Sequence, residues 1–111
     1  MEKSPSSSTL PKSFFALVQE SELPVLVDFY ADWCQPCKMV SPVVARIAKD
    51  LKGKILTVKI NVDQKPQVSG HFNISSIPTI MLFKGGKSVM RLQGAYPYDA
   101  MMQEIRKALG T

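Results

Sequence analysis

Apolar and polar residues follow one another in blocks along the chain, and the clearest blocks lie between residues 24 and 51. Residues 24–30 are almost continuously apolar and rich in β-branched side chains, which is typical of a strand covered on both faces. Residues 39–51 carry apolar side chains at helical intervals, which indicates a helix with one buried face. The sequence therefore predicts a central strand followed by a helix, with a short polar segment between them.

The other blocks predict further elements on both sides of this unit. Thr9 is the predicted N-cap of a first helix, with Pro11 in its first turn. The buried stripe of that helix comprises Leu10, Phe14, Leu17 and Val18. The later elements are strands at 55–62, 80–83 and 88–93, a short helix capped by Asp63, a hairpin at 84–87 and a last helix from Pro97. This order predicts an α/β domain in which helices flank a central mixed sheet on both faces.

Length and composition indicate a single domain. The chain has 111 residues, of which 45% are hydrophobic, enough for one core but not for two. Residues 1–9 are polar and rich in Ser and Pro, so they are predicted to form a flexible tail ahead of a domain at 10–111. Residues 6–11 show no apolar alternation, so any strand there is expected to be weak or missing.

The only two cysteines, Cys34 and Cys37, lie where the strand passes into the helix. Cys34 falls near the helix N-cap, where unpaired N–H groups and the positive end of the helix dipole favour a thiolate. The spacing of three residues allows the two sulfurs to form a disulfide. Cys34 is predicted to be the attacking thiol because it is nearer the helix start and is expected to be less enclosed than Cys37. The pattern predicts a dithiol–disulfide switch.

Two other uses of the cysteine pair fit less well. A structural zinc site needs about four protein ligands, and beyond the pair the chain offers only His71, so no metal is predicted. A purely structural disulfide in so short a loop would remove little entropy from the unfolded chain. A C-x-x-C at a strand–helix junction is instead typical of a redox motif.

The distribution of charge and the length of the apolar runs restrict the classes of partner and the cellular compartment that the sequence predicts. The net charge is +5, but the lysines are scattered without a basic run, which argues against nucleic-acid binding. No apolar run approaches the roughly 20 residues of a membrane span, so no membrane partner is predicted. The first nine residues lack the apolar core of a secretory signal, so a cytoplasmic location is expected, where a disulfide is more often catalytic than structural.

Residues 27–38 resemble the active-site segment of the thioredoxin family, and residues 75–79 resemble its cis-proline loop. Further matches follow at 59, 61–63, 85–86 and 94–95, in the family's order and spacing. The resemblance implies the thioredoxin fold and an enzyme that reduces protein disulfides through Cys34 and Cys37. It also implies disulfide-containing client proteins, regeneration by a flavin-containing thioredoxin reductase, a monomer, and no bound cofactor.

The resemblance also implies a docking surface around the cysteines and a cis peptide bond before Pro78. That surface comprises Trp33, Gln35, Pro36, Ile77, Pro78, Gln93 and Gly94. Gln35 replaces the family's usual glycine after the first cysteine, and Gln93 replaces an apolar residue. Both departures bear on substrate preference and redox poise, while the reaction type stays the same.

Asp28 interrupts the central strand, and its parity with Leu26 and Tyr30 predicts a buried carboxyl on a core face. Burial disfavours the charged form, so the pKa of Asp28 is expected to be raised. Asp28 is predicted to be the proton acceptor for Cys37, directly or through one water, and the resemblance implies that Lys59 lies beside it. Both belong to the predicted catalytic set.

Two rival functions remain open from the sequence. One is a binding or assembly module in which the redox chemistry is incidental, although the presence of both cysteines and Asp28 argues against this function. Within the enzymes, Gln35 could shift the balance toward an oxidant or isomerase, whereas Pro36 is the choice typical of a reductase.

Overall fold

A computed structural model describes residues 13–110 of the protein. The elements within this range are α1 (Phe14–Glu20), β1 (Val25–Tyr30), α2 (Gln35–Asp50), β2 (Leu56–Asn61), α3 (Pro66–His71), β3 (Thr79–Lys84), β4 (Lys87–Gln93) and α4 (Tyr98–Leu109). The predicted tail at 1–9 and the weak strand at 6–11 lie outside the described residues.

The strands of the described residues form one mixed sheet in the order β2-β1-β3-β4. β1 pairs in parallel with β2 and antiparallel with β3, and β3 pairs antiparallel with β4. The parallel pair requires a crossover, which α2 provides. β1 is thus a central strand, and its first five residues are all buried, as the continuous apolar run predicts.

Two apolar clusters cover the two faces of this sheet. Leu26 and Leu82 pack with Ile47 of α2 and Ile105 of α4 on one face. On the other face, the odd-numbered residues of β1 pack with side chains of α1 and α3. The predicted α/β architecture, a mixed sheet with helices on both faces, is confirmed.

The predicted start of the first helix was wrong. α1 begins at Phe14, and Ser13 is its N-cap, with its hydroxyl accepting a hydrogen bond from the Ala16 N–H at 3.0 Å. Ser13 itself has extended backbone angles, so α1 starts at this cap, and the predicted cap Thr9 lies outside the described residues. Serine and threonine satisfy the same capping chemistry, so the sequence did not separate the two positions.

Asp63 does not cap α3, which is a second correction. Lys65 occupies the N-cap position of α3 and makes no capping hydrogen bond with its side chain. The Asp63 carboxylate instead accepts a hydrogen bond from the Trp33 indole, Nε1 to Oδ2, at 2.8 Å. The Asn61 amide oxygen accepts from the N–H groups of Asp63 and Gln64, at 2.9 and 3.3 Å. The turn before α3 is therefore held by the side chain of Asn61 in β2, and the Asp63 carboxylate is available to bind the Trp33 indole.

The far end of α2 is fixed to the start of α4. The Tyr98 hydroxyl donates a short hydrogen bond to the Asp50 carboxylate, and the Arg46 guanidinium lies 3.7 Å from the centroid of the Tyr98 ring. The predicted hairpin joins β3 to β4 through Gly85 and Gly86, whose φ angles of 61° and 83° suit glycine. No helix among residues 13–110 is both long and apolar enough to cross a membrane.

Candidate active site

Cys34 and Cys37 form a disulfide at the first turn of α2, with their Cα atoms 5.3 Å apart. Cys34 is the N-cap of this helix, as predicted, and the Cys37 N–H points at its Sγ at 3.2 Å. Such a donor, together with the dipole of a 16-residue helix, stabilises negative charge on the Cys34 sulfur. Cys34 and Cys37 are 3% and 4% exposed, so the expectation that Cys34 is less enclosed was wrong. Position in the helix, and not exposure, distinguishes the two sulfurs.

The two residues between the cysteines allow this turn. Gln35 is the first residue of α2 and Pro36 the second, and a proline is tolerated there because the N–H groups of the first turn have no partner within the helix. Both side chains are exposed, so the Gln35 amide extends outward from the helix start as expected. Ala31 and the partly buried Tyr30, Val62 and Ile77 pack around the sulfurs.

Asp28 lies beneath the start of α2 on the same face of β1 as Leu26. It is 1% exposed, and its Oδ1 atom has no hydrogen-bond partner in the described part of the chain. Asp28 and Cys37 both line a cavity of about 180 Å³. Burial raises the pKa of Asp28 from 3.8 to about 6, although the positive charge of Lys59 opposes part of the rise. The predicted buried carboxyl and the direction of its pKa shift are confirmed.

Lys59 is placed beside Asp28 by the sheet. The two residues are partners in the parallel register of β1 and β2, and both line the same cavity. The Lys59 ammonium lies 4.5 Å from the centroid of the Tyr30 ring and 3.3 Å from the Ser41 hydroxyl oxygen, to which it donates. These contacts hold an exposed positive charge at the mouth of the cavity.

A groove of about 370 Å³ runs alongside Trp33. Its lining comprises Trp33, Val62, Ile74, Ser75, Ser76 and Ile77. Trp33 is 68% exposed, and the hydrogen bond from its indole to Asp63 fixes the orientation of the ring. Exposed aromatic surface of this kind, beside a groove, is typical of a docking site.

The chain before β3 forms the other wall of this groove. The peptide bond between Ile77 and Pro78 is cis, as predicted. Ile77 packs against the cysteine pair, whereas Pro78 is buried and adds less surface than Trp33 does. Gly94 donates its N–H to the Pro78 carbonyl at 2.9 Å, and the Gln93 side chain beside it is exposed. The structure thus brings the predicted docking residues to one end of the sheet around Cys34.

The sequence analysis missed two polar contacts of this site. Asp63 was assigned to a helix cap, and Ser41 was not singled out among the polar residues of α2. A pairing of Asp63 with the only tryptophan could have been suspected from its place directly after a strand neighbouring β1.

No cluster of three His, Cys, Asp or Glu side chains suited to a metal ion occurs in residues 13–110.

A family model described as Thioredoxin matches residues 6–107. Thioredoxin 1 of Chlorobaculum tepidum is 51% identical over 94 residues, which cover 85% of this chain and 93% of the relative. Thioredoxin 1 of a Nostoc species is 51% identical over 92 residues, or 83% and 86% of the two chains. The chloroplastic M-type thioredoxin of Chlamydomonas reinhardtii is 47% identical over 97 residues, or 87% and 69%.

The comparisons and the geometry agree. The matched region contains the four strands found in residues 13–110, the disulfide at the start of α2 and the buried carboxyl beneath it. A disulfide of this kind opens and closes by exchange with other thiols. The chain therefore belongs to the thioredoxin family and is a thiol–disulfide oxidoreductase that acts through Cys34 and Cys37.

Proposed function

We propose that Cys34 is the nucleophile and Cys37 the resolving thiol in the reduction of protein disulfides. The Cys34 thiolate attacks one sulfur of a client disulfide, forming a mixed disulfide and releasing the second client sulfur as a thiolate. Cys37 then loses its proton and attacks the Cys34 sulfur. The Cys34–Cys37 disulfide forms, and the first client sulfur leaves as a thiolate. Two electrons pass from the pair to the client.

The observation that carries this assignment is the contact between the Cys37 N–H and the Cys34 Sγ at the start of α2. It supports a thiolate at Cys34, while Cys37, one turn into the helix, lines the cavity that also contains Asp28. We assign Asp28 as the acceptor of the Cys37 proton, directly or through a water molecule. A base with a pKa of about 6 is matched to such a transfer near neutral pH. We assign Lys59 to stabilise the ionised form of Asp28 through its positive charge.

Clients dock on the surface around the pair in this proposal. That surface comprises Trp33, Gln35, Pro36, Ile77, Pro78, Gln93 and Gly94. An extended client segment beside the groove would pair with backbone and bury apolar side chains against Trp33 and Ile77. The client classes are disulfide-containing proteins, and a thioredoxin reductase returns the disulfide to the dithiol. We propose that the protein works in the cytoplasm as a monomer.

Trapping of mixed disulfides tests the assignment of the two thiols. A Cys37→Ser variant should accumulate covalent complexes with insulin, because the mixed disulfide cannot be resolved. The matched Cys34→Ser variant should accumulate none, since it lacks the attacking thiol. Equal trapping by the two variants would contradict the assignment. Insulin precipitation with dithiothreitol tests the reductase activity itself, and a parent protein without it would favour a binding or assembly module.

A further inference from the structure

Arg91 makes two hydrogen bonds to the backbone that leads into the docking groove. Its Nη1 donates to the Phe72 carbonyl at 2.6 Å, and its Nη2 donates to the Asn73 carbonyl at 2.9 Å. Arg91 lies on β4, opposite Met81 of β3, on the sheet face that α3 covers. A contact across 18 or 19 residues thus joins the edge strand to the end of α3.

The two carbonyls lie at the end of α3 and just beyond it, where no N–H of the helix can reach them. Phe72 is the C-cap of α3, and Asn73 follows with a φ of 54°, which is unusual for a residue other than glycine. The planar guanidinium holds two nitrogens in a fixed fork that matches two neighbouring acceptors, a geometry that the single nitrogen of a lysine does not reproduce. Arg91 therefore fixes the direction in which the chain leaves α3.

The other end of the same segment is also held by residues at the end of β4. The Gly94 N–H donates to the Pro78 carbonyl at 2.9 Å, so residues 72–78 are fastened at both ends to one stretch of chain. Between these two points lie the groove residues Ile74, Ser75, Ser76 and Ile77. We propose that Arg91 is a positioning residue for client docking, holding this segment in the conformation that forms one wall of the groove.

Arg91 acts on docking and not on sulfur chemistry in this proposal, which rests on the proposed docking function of the groove. It lines neither the groove beside Trp33 nor the cavity shared by Asp28 and Cys37. A small disulfide that needs only the sulfur of Cys34 should therefore not depend on Arg91. A protein client, which needs an ordered wall for its backbone and side chains, should depend on it.

The test compares Arg91→Met with the parent in single-turnover reactions of the reduced protein. Insulin is the protein client and 2-hydroxyethyl disulfide is the small one, each varied in concentration while product formation is followed. For insulin we expect the half-saturating concentration to rise about five-fold with the plateau rate within about two-fold, since positioning is lost and the reacting groups are kept. The rate with the small disulfide should stay within about two-fold of the parent.

Two further variants isolate the cause. Lys87→Met removes one positive charge from the start of the same strand and should leave insulin saturation unchanged. Arg91→Lys keeps the charge but replaces the two-nitrogen fork, which places one nitrogen on each carbonyl, with a single nitrogen, so it should resemble Arg91→Met. Amide hydrogen exchange at residues 74–77 should be faster in Arg91→Met and unchanged in Lys87→Met, a readout that does not depend on activity.

Several outcomes would overturn the proposal. Insulin saturation in Arg91→Met equal to the parent's would do so, as would equal slowing with both disulfides or the same defect in Lys87→Met. A parent-like Arg91→Lys would show that charge suffices and would remove the bidentate role. A parent protein that reduces only the small disulfide would overturn the proposed function together with this inference. A parent that reduces insulin, beside an unaffected Arg91→Met, would overturn the inference alone.

Discussion

Asp28 and Lys59 face each other across the parallel register of β1 and β2. The carboxyl is buried beneath α2, whereas the lysine side chain is exposed, so only the acid loses its hydration. The positive charge of Lys59 lowers the pKa of Asp28, but burial raises it more, and the result is a pKa of about 6. Asp28 therefore titrates close to neutrality instead of near its ordinary value of 3.8.

We expect Asp28→Asn to be more stable than the parent at neutral pH. A carboxyl with a raised folded-state pKa contributes fully to stability below its unfolded value of 3.8 and loses that contribution as the pH rises through about 6. Asn does not titrate, so above pH 6 the variant should exceed the parent by on the order of 2–3 kcal/mol. Urea unfolding between pH 4 and pH 8 measures the difference.

The two stability curves should converge below about pH 4, where Asp28 is protonated in both states. Asp32→Asn is the matched control, because Asp32 is an exposed aspartate at the mouth of the same cavity. Parallel curves for the parent and Asp28→Asn across the whole range would show that Asp28 does not titrate abnormally.

The same Asp28→Asn change should slow resolution of the mixed disulfide. Without a nearby base, Cys37 must give its proton to solvent, so release of the reduced client should fall by about 100-fold at pH 7. The first attack by Cys34 should be much less affected, since its sulfur is stabilised by the Cys37 N–H. Rapid-quench analysis of a single turnover separates the two steps. A variant that forms and resolves the mixed disulfide at the parent's rates would exclude the role of base.

Lys59→Met should raise the pKa of Asp28 above that of the parent. The substitution removes the charge that favours the ionised carboxyl and keeps a side chain of similar length. The decline in stability should begin near pH 4 as in the parent but continue to higher pH, and mixed-disulfide resolution at pH 7 should be slower but recover in more alkaline buffer. Lys38→Met removes another lysine from the same cavity and is the control. Identical pH profiles for the two variants would refute a specific role for Lys59.

Gln35→Gly should alter docking more than thiol chemistry. The Gln35 side chain is exposed at the first position of α2, while the hydrogen bond at the Cys34 sulfur comes from the Cys37 backbone. We expect rates with different protein clients to change unequally, by about two- to ten-fold, while the titration of Cys34 stays close to the parent's. Thiolate absorbance and rates with three unrelated clients provide the comparison. A large shift in the titration with uniform rate changes would contradict the prediction.

Local patterns were sufficient where periodicity and chemistry point the same way. The parity of Asp28 with Leu26 placed the carboxyl on the correct face, because side chains of a strand alternate regardless of what covers them. The position of Cys34 at a helix start followed from the end of one apolar run and the beginning of another. These inferences needed no knowledge of distant residues.

Contacts between distant segments were the ones that local patterns did not predict. Asp63 suits a helix cap in isolation, but in the fold its carboxylate is taken by the indole of Trp33, 30 residues earlier. Arg91 was one residue of the strand predicted at 88–93, and its two acceptors belong to a turn 18 and 19 residues away. The Ser41 hydroxyl of α2 accepts a hydrogen bond from Lys59 of β2, a residue 18 positions later. In each case the tertiary fold determines the partner of the side chain, and the neighbouring residues in the sequence do not indicate which partner it is.

The disulfide joins two residues of a single helical turn, and the far end of α2 is held independently through Asp50 and Tyr98. Breaking the sulfur–sulfur bond therefore removes no covalent link between separate elements of the fold. The oxidised and reduced proteins should have the same backbone conformation, with α2 holding the two cysteines in a fixed position. A reductase or a client must then distinguish the disulfide form from the dithiol form at the two sulfurs themselves, because the rest of the surface is the same in both forms.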